Sequence, residues 1–87
     1  MFISVHHRIK NPSEFWAAAQ KSLPNLPEPG VKRVCNVFPA TNGTEATCIW
    51  EADSIDALNQ YLRSKVKDWS EESYFEINAA QAMGLPS

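Results

Sequence analysis

Glycine and cysteine are scarce in this chain, and long apolar runs are missing. Among its 87 residues are three glycines, too few for a glycine-rich loop that wraps phosphates. No apolar run approaches the ~18–20 residues that a membrane span needs, so no membrane partner is expected. The two cysteines, Cys35 and Cys48, lack the tight spacing of a zinc motif. These absences argue against a phosphate-binding loop, a membrane span and a zinc finger.

Strong charge of either sign is also absent. The net charge is −2, and the eight Lys and Arg residues are scattered along the chain. Nucleic-acid binders usually concentrate positive charge on one face, because much of their affinity comes from contacts to phosphates. The two basic clusters, Lys32-Arg33 and Lys65-Val66-Lys67, are too short for that role. No nucleic-acid partner is predicted.

The first residues do not resemble a targeting signal. No basic segment precedes the apolar part of Met1–Arg8, and no small-residue cleavage site follows it. We therefore expect a cytoplasmic protein in which Cys35 and Cys48 stay reduced.

The length predicts one domain. A chain of 87 residues is too short for two ordinary domains, and folding buries only roughly 60–65% of the surface that the unfolded chain exposes. Stability is then marginal, and a dimer interface is a common remedy. Hydrophobic residues make up 44% of the chain, which is normal for a globular protein and leaves material for such an interface.

The N-terminal part predicts a strand followed by a helix. Residues 1–9 alternate with a period of two, and the apolar side consists of Met1, Ile3, Val5, His7 and Ile9. Asn11 can cap a helix, Pro12 suits its first position and Glu14 sits three residues after the cap. The helix is expected to run to Ser22, because a proline-rich loop follows.

The middle of the chain predicts a β-hairpin. Asn42-Gly43 is typical of a two-residue type I′ turn, which needs positive φ at both central positions. The strands on either side cover residues 31–40 and 44–52. The turn predicts two facing pairs: Val37 with Cys48, and Cys35 with Trp50. A bulge would turn one strand over against the other, and that alternative stays open.

The last third predicts a second helix and a final strand. Asp53 or Ser54 can cap the helix, and Asp56 lies in its first turn. Its apolar stripe is Ile55, Leu58, Leu62, Val66 and Trp69. The strand follows Ser70-Glu71-Glu72, with Phe75, Ile77 and Ala79 on its apolar side. The domain is expected to cover residues 1–79, and residues 80–87 to form a tail.

Six elements in the order βαββαβ predict a ferredoxin-like α+β fold, with an antiparallel sheet and both helices on one face. The residues expected beneath the helices are Ile3, Val5, Val37, Cys48, Trp50, Phe75 and Ile77. The residues expected on the other face are Ser4, His6, Arg8, Asn36, Thr47, Ile49, Glu51, Tyr74 and Glu76. Phe2, Val34, Phe38 and Ile49 make this second face too apolar for open water, so something should cover it.

A domain of this size and element order, with a half-apolar free sheet face, resembles the dimeric α+β barrel superfamily. In that superfamily two sheets pack face to face and enclose a cavity. More narrowly, Val5-His6-His7 and Cys48–Ser54 resemble a small uncharacterised branch that includes a nickel-binding member. The resemblance implies a homodimer and a fold for residues 1–79. It implies no reaction, because the superfamily includes cofactor-independent monooxygenases, isomerases and haem enzymes.

His6 is the best candidate for a catalytic residue. With the first and third strands placed as parallel neighbours, His6 lies near Glu51, and near Tyr74 or Glu76 on the fourth strand. A histidine beside a carboxylate in a dry cavity can act as a general base. It can also be a polar group that lines the cavity and takes no part in catalysis, and this is the interpretation that we favour. His7 is expected in the core, although which of the two histidines faces the cavity stays open.

Metal binding and ligand binding draw on the same residues. The metal candidates are His6, Glu51 and Glu76, or His7 and Cys48 if the strand faces the other way. Adjacent histidines on one strand point to opposite faces, so His6 and His7 cannot both bind one ion. The residues predicted to line the ligand site are His6, Arg8, Asn36, Glu51, Tyr74 and Glu76. Arg8 can hold an anionic ligand or pair with Glu51.

The leading functional interpretation is a homodimer that binds a small apolar or aromatic molecule in its cavity, with no cofactor predicted. One alternative is a cofactor-independent monooxygenase or isomerase that acts on an aromatic or quinone-like compound. Another is a protein that binds a transition metal of the nickel type.

Overall fold

A computed structural model describes residues 1–86, which form four strands and two main helices. In chain order these are β1 (Phe2–Ile9), α1 (Pro12–Ser22), β2 (Val31–Pro39), β3 (Glu45–Ala52), α2 (Ile55–Val66) and β4 (Ser70–Glu76), with a short 3₁₀ turn at Leu23–Asn25. The order βαββαβ and the four-stranded sheet with two helices confirm the predicted ferredoxin-like α+β fold. No helix within residues 1–86 has the length and apolarity to cross a membrane.

All neighbouring strands are antiparallel, in the order β2-β3-β1-β4. The expected parallel pairing of β1 and β3 was therefore wrong. The α1 crossover brings β2 back in the direction of β1, and the hairpin then reverses the chain, so β3 must oppose β1. His6 consequently pairs with Thr47, whereas Glu51 pairs with Phe2. Four strand positions separate the two predicted site residues along β1, a distance of about 13 Å.

Both helices begin at the predicted caps. The Asn11 side chain accepts a hydrogen bond from the backbone N–H of Glu14 at 3.2 Å. The Ser54 hydroxyl accepts one from the backbone N–H of Ala57 at 3.0 Å, so Ser54 is the cap of α2. Each bond satisfies a backbone donor that the first turn of a helix leaves free.

The hairpin loop is longer than predicted. The Gly43 N–H donates to the Ala40 carbonyl at 2.9 Å, and the Ala40 N–H donates to the Glu45 carbonyl at 2.8 Å. Within this loop only Gly43 has a positive φ, 75°, whereas a type I′ turn would require a positive φ at Asn42 as well. The Asn42 side chain instead accepts hydrogen bonds from the backbone and hydroxyl of Thr44, which stabilises the loop.

A β-bulge in β2 alters the predicted strand faces. Val37 faces Cys48 as predicted, but the register shifts between Val34 and Asn36. Val34 therefore faces Trp50, in the place expected for Cys35, and packs against the core instead of lying on the free face. Two residues of β2 span one residue of β3 here, so side chains before the bulge change sides.

The core lies between the helices and one face of the sheet. Its buried apolar residues are Ile3, Val5, Ile9, Phe15, Val31, Ala46, Cys48, Trp50, Ala52, Leu58, Tyr61, Leu62 and Val66. The predicted core residues of β1 and β3 are confirmed.

β4 lies the other way up from the prediction. Tyr74 pairs with Val5 and Glu72 with His7, so both lie beneath the helices. Phe75 pairs with Ser4, lies on the opposite face and is 62% exposed. The placement of Phe75 in the core and of Tyr74 on the free face was wrong. Register with β1 decides which face a residue occupies, and the alternation Phe75-Ile77 could not reveal that register.

We call the face opposite the helices the uncovered face. Four large apolar side chains lie on it: Phe2, Phe38, Ile49 and Phe75. Phe38 and Phe75 are each about 60% exposed, at 60% and 62%.

Candidate functional site

His6 lies on the uncovered face, between Thr47 of β3 and Ser73 of β4. Its Nε2 atom is 3.0 Å from Oε1 of Glu45, and the two side chains are 43% and 55% exposed. The prediction that His6 faces away from the helices is confirmed. Its carboxylate partner is Glu45 instead of the predicted Glu51. With Nε2–H donating to Glu45, the neutral imidazole keeps Nδ1 free as an acceptor.

A depression of about 260 Å³ lies beside this pair on the uncovered face. It is lined by His6, Phe38, Pro39, Ala40, Glu45, Ala46 and Thr47. Phe38 supplies an aromatic wall, while the imidazole, the carboxylate and the Thr47 hydroxyl supply polar groups. An apolar surface with a few polar groups is the usual character of a small-molecule site, although such sites commonly measure about 300–1,000 Å³ and are enclosed.

The other predicted residues of this face are present but dispersed. Arg8 Nη2 lies 3.8 Å from Oε2 of Glu71, at the end of the strand beyond His6. Asn36 is opposite Ile49, near the middle of the face. Glu51 accepts a hydrogen bond from Arg33 Nε at 2.8 Å, and the expected Arg8–Glu51 pair does not form.

Glu51 is held as a carboxylate. Partial burial acts to raise its pKa, but the hydrogen bond from Arg33 and the charges of Lys32 and Arg33 outweigh that effect and lower it. Lys32 Nζ is 3.7 Å away. Glu51 is therefore part of an ion-pair cluster with β2 and not a partner for His6.

Tyr74 and Glu76 do not belong to the site, which corrects the prediction. The Tyr74 hydroxyl donates to Oδ1 of Asn59 at 2.9 Å, beneath α2. Burial and the nearby Glu72 carboxylate raise the pKa of Tyr74 to about 12. Glu76 is opposite Ile3, which lies on the helix-covered face. The strand reversal in β4 moved both side chains away from His6.

The predicted metal ligands are likewise separated. His6, Glu51 and Glu76 lie on different parts of the sheet, and no group of three metal-ligating side chains occurs among residues 1–86 of one copy. His7 and Cys48 both line the helix-covered face, but only as part of a largely apolar wall.

A buried polar network surrounds His7, and the sequence did not lead us to predict it. His7 is 1% exposed, and its Nδ1 lies 2.8 Å from Oε2 of Glu72. The Ser70 hydroxyl donates to the same carboxylate, and Arg63 Nη2 donates to its other oxygen. Arg63 Nη1 also donates to the Ser70 carbonyl at 3.0 Å. The network joins β1, β4 and α2.

Glu72 is charged in this network. Burial acts to raise the pKa of Glu72, but hydrogen bonds from His7 and Ser70, with the charges of His7 and Arg63, lower it overall. One signal was available in the sequence. Glu72 and Arg63 would be expensive to bury singly, and a histidine in the apolar pattern of β1 requires a polar partner.

A small inner cavity, partly open to solvent and apolar on its surface, lies between the helices and the sheet. It measures about 30 Å³, enough for a water molecule or two. Its lining includes His7, Phe15, Trp16, Cys48, Trp50 and Tyr61. Burial raises the pKa of the Cys48 thiol to about 12.

Two polar atoms beside this cavity lack partners. Within residues 1–86, neither Trp50 Nε1 nor the Tyr61 hydroxyl makes a hydrogen bond, although both atoms are buried. Burial and the charge of Glu28 raise the pKa of Tyr61. An unpaired buried polar group usually costs about 1–3 kcal/mol.

Comparison with known proteins supports the fold. No protein-family model matches the chain, and no curated protein matches it. A solved structure from Nitrosomonas europaea, provisionally named an antibiotic biosynthesis monooxygenase, is similar with a TM-score of 0.55 over 90% of this chain and 99% of that chain. The sequences are 14% identical, so the similarity shows a shared ferredoxin-like α+β fold and nothing finer.

Proposed function

We propose that this chain binds a small apolar or aromatic molecule as a homodimer, in which two uncovered faces meet and enclose the ligand beside His6. The observation that carries the proposal is the exposure of Phe38 and Phe75, 60% and 62%, on a face that also carries Phe2 and Ile49. Phe38 lies on β2 and Phe75 on β4, the two outer strands, with Phe2 and Ile49 between them, so apolar side chains span the whole face, as is usual for an interaction surface.

A second copy would supply what one copy lacks. The depression beside His6 is open, and its volume of about 260 Å³ is near the lower end for ligand sites. A facing sheet would close it and exclude water from the His6–Glu45 pair. Phe38 would then form an aromatic wall, and Nδ1 of His6 would accept a hydrogen bond from the ligand.

Native mass spectrometry with 2-naphthol as the probe tests this function. The wild-type dimer should retain the probe, and His6→Ala should weaken its retention about tenfold, the loss of roughly 1.4 kcal/mol expected for one hydrogen bond. Ser64→Ala is the control, because Ser64 is exposed on α2, on the other side of the sheet. Equal retention by all three proteins would contradict a site beside His6.

A second function, oxygenation of an aromatic compound, would use the inner cavity between the helices and the sheet. Its lining brings the aromatic side chains of Phe15, Trp16 and Trp50 together with the buried His7. The provisional name of the Nitrosomonas europaea structure agrees with this alternative. The cavity would have to open, since about 30 Å³ does not hold an aromatic ring.

Oxygen consumption separates this function from simple binding. With 1,5-dihydroxynaphthalene as the probe, an oxygenase should consume O₂ faster than buffer, and Tyr61→Phe should slow it while preserving the fold. A rate equal to buffer for the wild-type protein would leave binding as the better account.

Nickel-type metal binding remains the third candidate. One copy offers the His6 imidazole and the Glu45 carboxylate 3.0 Å apart, so an ion would need further ligands from a second copy. Titration with Ni²⁺ should then give one ion per two chains, and His6→Ala should abolish binding. A stoichiometry of one ion per chain would contradict the shared site.

A further inference from the structure

The chain beyond β4 is an uncharged arm with exposed apolar side chains. Residues 77–86 contain no Asp, Glu, Lys or Arg, whereas 21% of the whole chain is charged. Met83 is 97% exposed, more than any other large hydrophobic side chain among residues 1–86. Such a segment gains free energy if it finds an apolar surface to cover.

A hydrogen-bonded turn sets the start of the arm. The Gln81 N–H donates to the Asn78 carbonyl at 3.1 Å, and the Ala80 N–H donates to the Asn78 side chain at 3.2 Å. The Asn78 amide in turn donates to the Gln81 side chain at 3.2 Å. Three hydrogen bonds among Asn78, Ala80 and Gln81 therefore hold the turn, and the residues after it lie outside the sheet.

A groove of about 520 Å³ lies at the edge of the sheet beside this turn. It is lined by Met1, Phe2, Glu76, Ile77, Asn78 and Ala79. Phe2 also belongs to the uncovered face, so the groove continues the surface on which the dimer is proposed to form. Its lining is mainly apolar, and two of its residues carry a charge: Glu76 and the N-terminal Met1, whose ammonium donates to the Ala52 carbonyl at 2.8 Å.

The arm does not fill the groove of its own copy. Met83 follows Ala79 by four positions, a reach of about 13–14 Å, so the chain is long enough to fold back. Met83 nevertheless remains 97% exposed and does not occupy the groove. The molecule thus presents an unfilled groove and an uncovered methionine close to the same end of the sheet.

We propose that the two copies of the dimer exchange these arms, so that Met83 of each copy occupies the groove of the other. The inference rests on the proposed dimer and adds to it a specific contact. In a twofold dimer the exchange is reciprocal, and every groove and every arm is used once. A second copy fits better than an unrelated partner, because each copy brings both halves of the contact and the groove adjoins the uncovered face.

Sedimentation equilibrium on the full chain tests the exchange through two opposite charges. Met83→Glu should raise the dimer dissociation constant about 10²-fold to 10⁴-fold, because each dimer loses two buried methionine side chains, each worth about tenfold to a hundredfold. Met83→Lys should raise it less, because the lysine would meet Glu76 of the other copy. Neither change should affect folding, since Met83 makes little contact with its own copy.

Two further variants complete the design. Gln60→Glu adds the same negative charge at an exposed position of α2. Its dimer dissociation constant should equal that of the wild type. Glu76→Gln should remove the difference between Met83→Glu and Met83→Lys, because the charge that distinguishes them is gone.

The outcomes separate the two proposals. The exchange is supported if the wild-type protein is a dimer, Met83→Lys raises its dissociation constant and Met83→Glu raises it further. A wild-type dimer that is indifferent to both changes, or that responds to both equally, overturns the exchange and leaves the proposed dimer in place. A wild-type monomer overturns both proposals.

Discussion

His6 and His7 are neighbours in the chain, yet the two faces of the sheet treat them differently. His7 is 1% exposed and bound to the buried Glu72, whereas His6 lies half in solvent beside Glu45. The covered face holds a charged network beneath the helices, and the uncovered face leaves large apolar side chains open. Each face therefore carries groups of the less common kind for its surroundings: charged side chains in the buried layer, and large apolar side chains in contact with solvent. Glu72 is bound by His7, Ser70 and Arg63 of its own chain. Phe38 and Phe75 stay more than half exposed in a single copy.

The largest expected effect comes from breaking the network of the covered face. Glu72→Gln should lower the free energy of unfolding by about 3 kcal/mol, because Arg63 and His7 lose a buried charged partner. This figure is at the low end for a buried pair, since the Arg63 side chain is 37% exposed. Urea denaturation measures it.

The adjacent residue is the matched control. Glu71 is 61% exposed and pairs loosely with Arg8 and Lys10 at 3.8 and 3.7 Å. Glu71→Gln should change the free energy of unfolding by no more than about 0.5 kcal/mol. Equal losses at the two positions would mean that the faces of β4 do not differ as described.

The two histidines sharpen the same comparison. His7→Ala should cost about 1–3 kcal/mol of stability and leave 2-naphthol binding intact, because it truncates a core side chain. His6→Ala should leave the thermal melting temperature nearly unchanged and weaken binding. Thermal melts and native mass spectrometry on both variants check this. Loss of the probe by His7→Ala alone would move the binding site to the inner cavity, which His7 lines.

Acid should weaken the covered face through Glu72. Its pKa is lowered by folding, so its contribution is present above the unfolded value of about 4.3 and is lost as the pH falls through the folded value. The stability of the wild type should therefore drop below about pH 4 more steeply than that of Glu72→Gln. Parallel acid curves in urea titrations of the two proteins would contradict this assignment.

The cysteines give the smallest and cheapest comparison. Cys48 is 4% exposed, and burial raises its pKa to about 12, so it should react with a thiol reagent only after unfolding. Cys35 is partly exposed in the β2 bulge and should therefore react faster than Cys48. Its pKa is also raised, mainly because part of the thiol is buried. Timed mass spectrometry counts the labelled thiols. Rapid labelling of Cys48 in the native protein would show that the inner cavity admits the reagent.

Local signals in the sequence predicted most of the fold. Asn11 and Ser54 start the helices where their capping chemistry indicated, and the alternation in β1 predicted the faces of His6 and His7. These features depend on neighbours in the chain. The pairing of β1 with β3 depends instead on tracing chain direction through two connections, and an error there displaced Glu51 from His6 by four positions.

The site was less predictable, because it depends on register. The apolar residues Phe75 and Ile77 suggested a core strand, yet β4 satisfies Glu72 against His7 and leaves Phe75 outside. The bulge at Cys35 has no distinct signal in β2, and it moved Val34 into the core. Glu45, the partner of His6, lies at the end of the hairpin loop, which was predicted to be shorter.

The most direct test of the account is the mass of the protein in solution. Light scattering at micromolar concentration should give about twice the 9.8 kDa chain mass. Phe75→Glu places a charge on the uncovered face at β4, within the proposed interface, and should yield a folded monomer. Glu71→Gln, on the same strand but near its end, should remain a dimer. A wild-type protein that is a clean, soluble monomer would contradict the claim that a second copy covers the uncovered face.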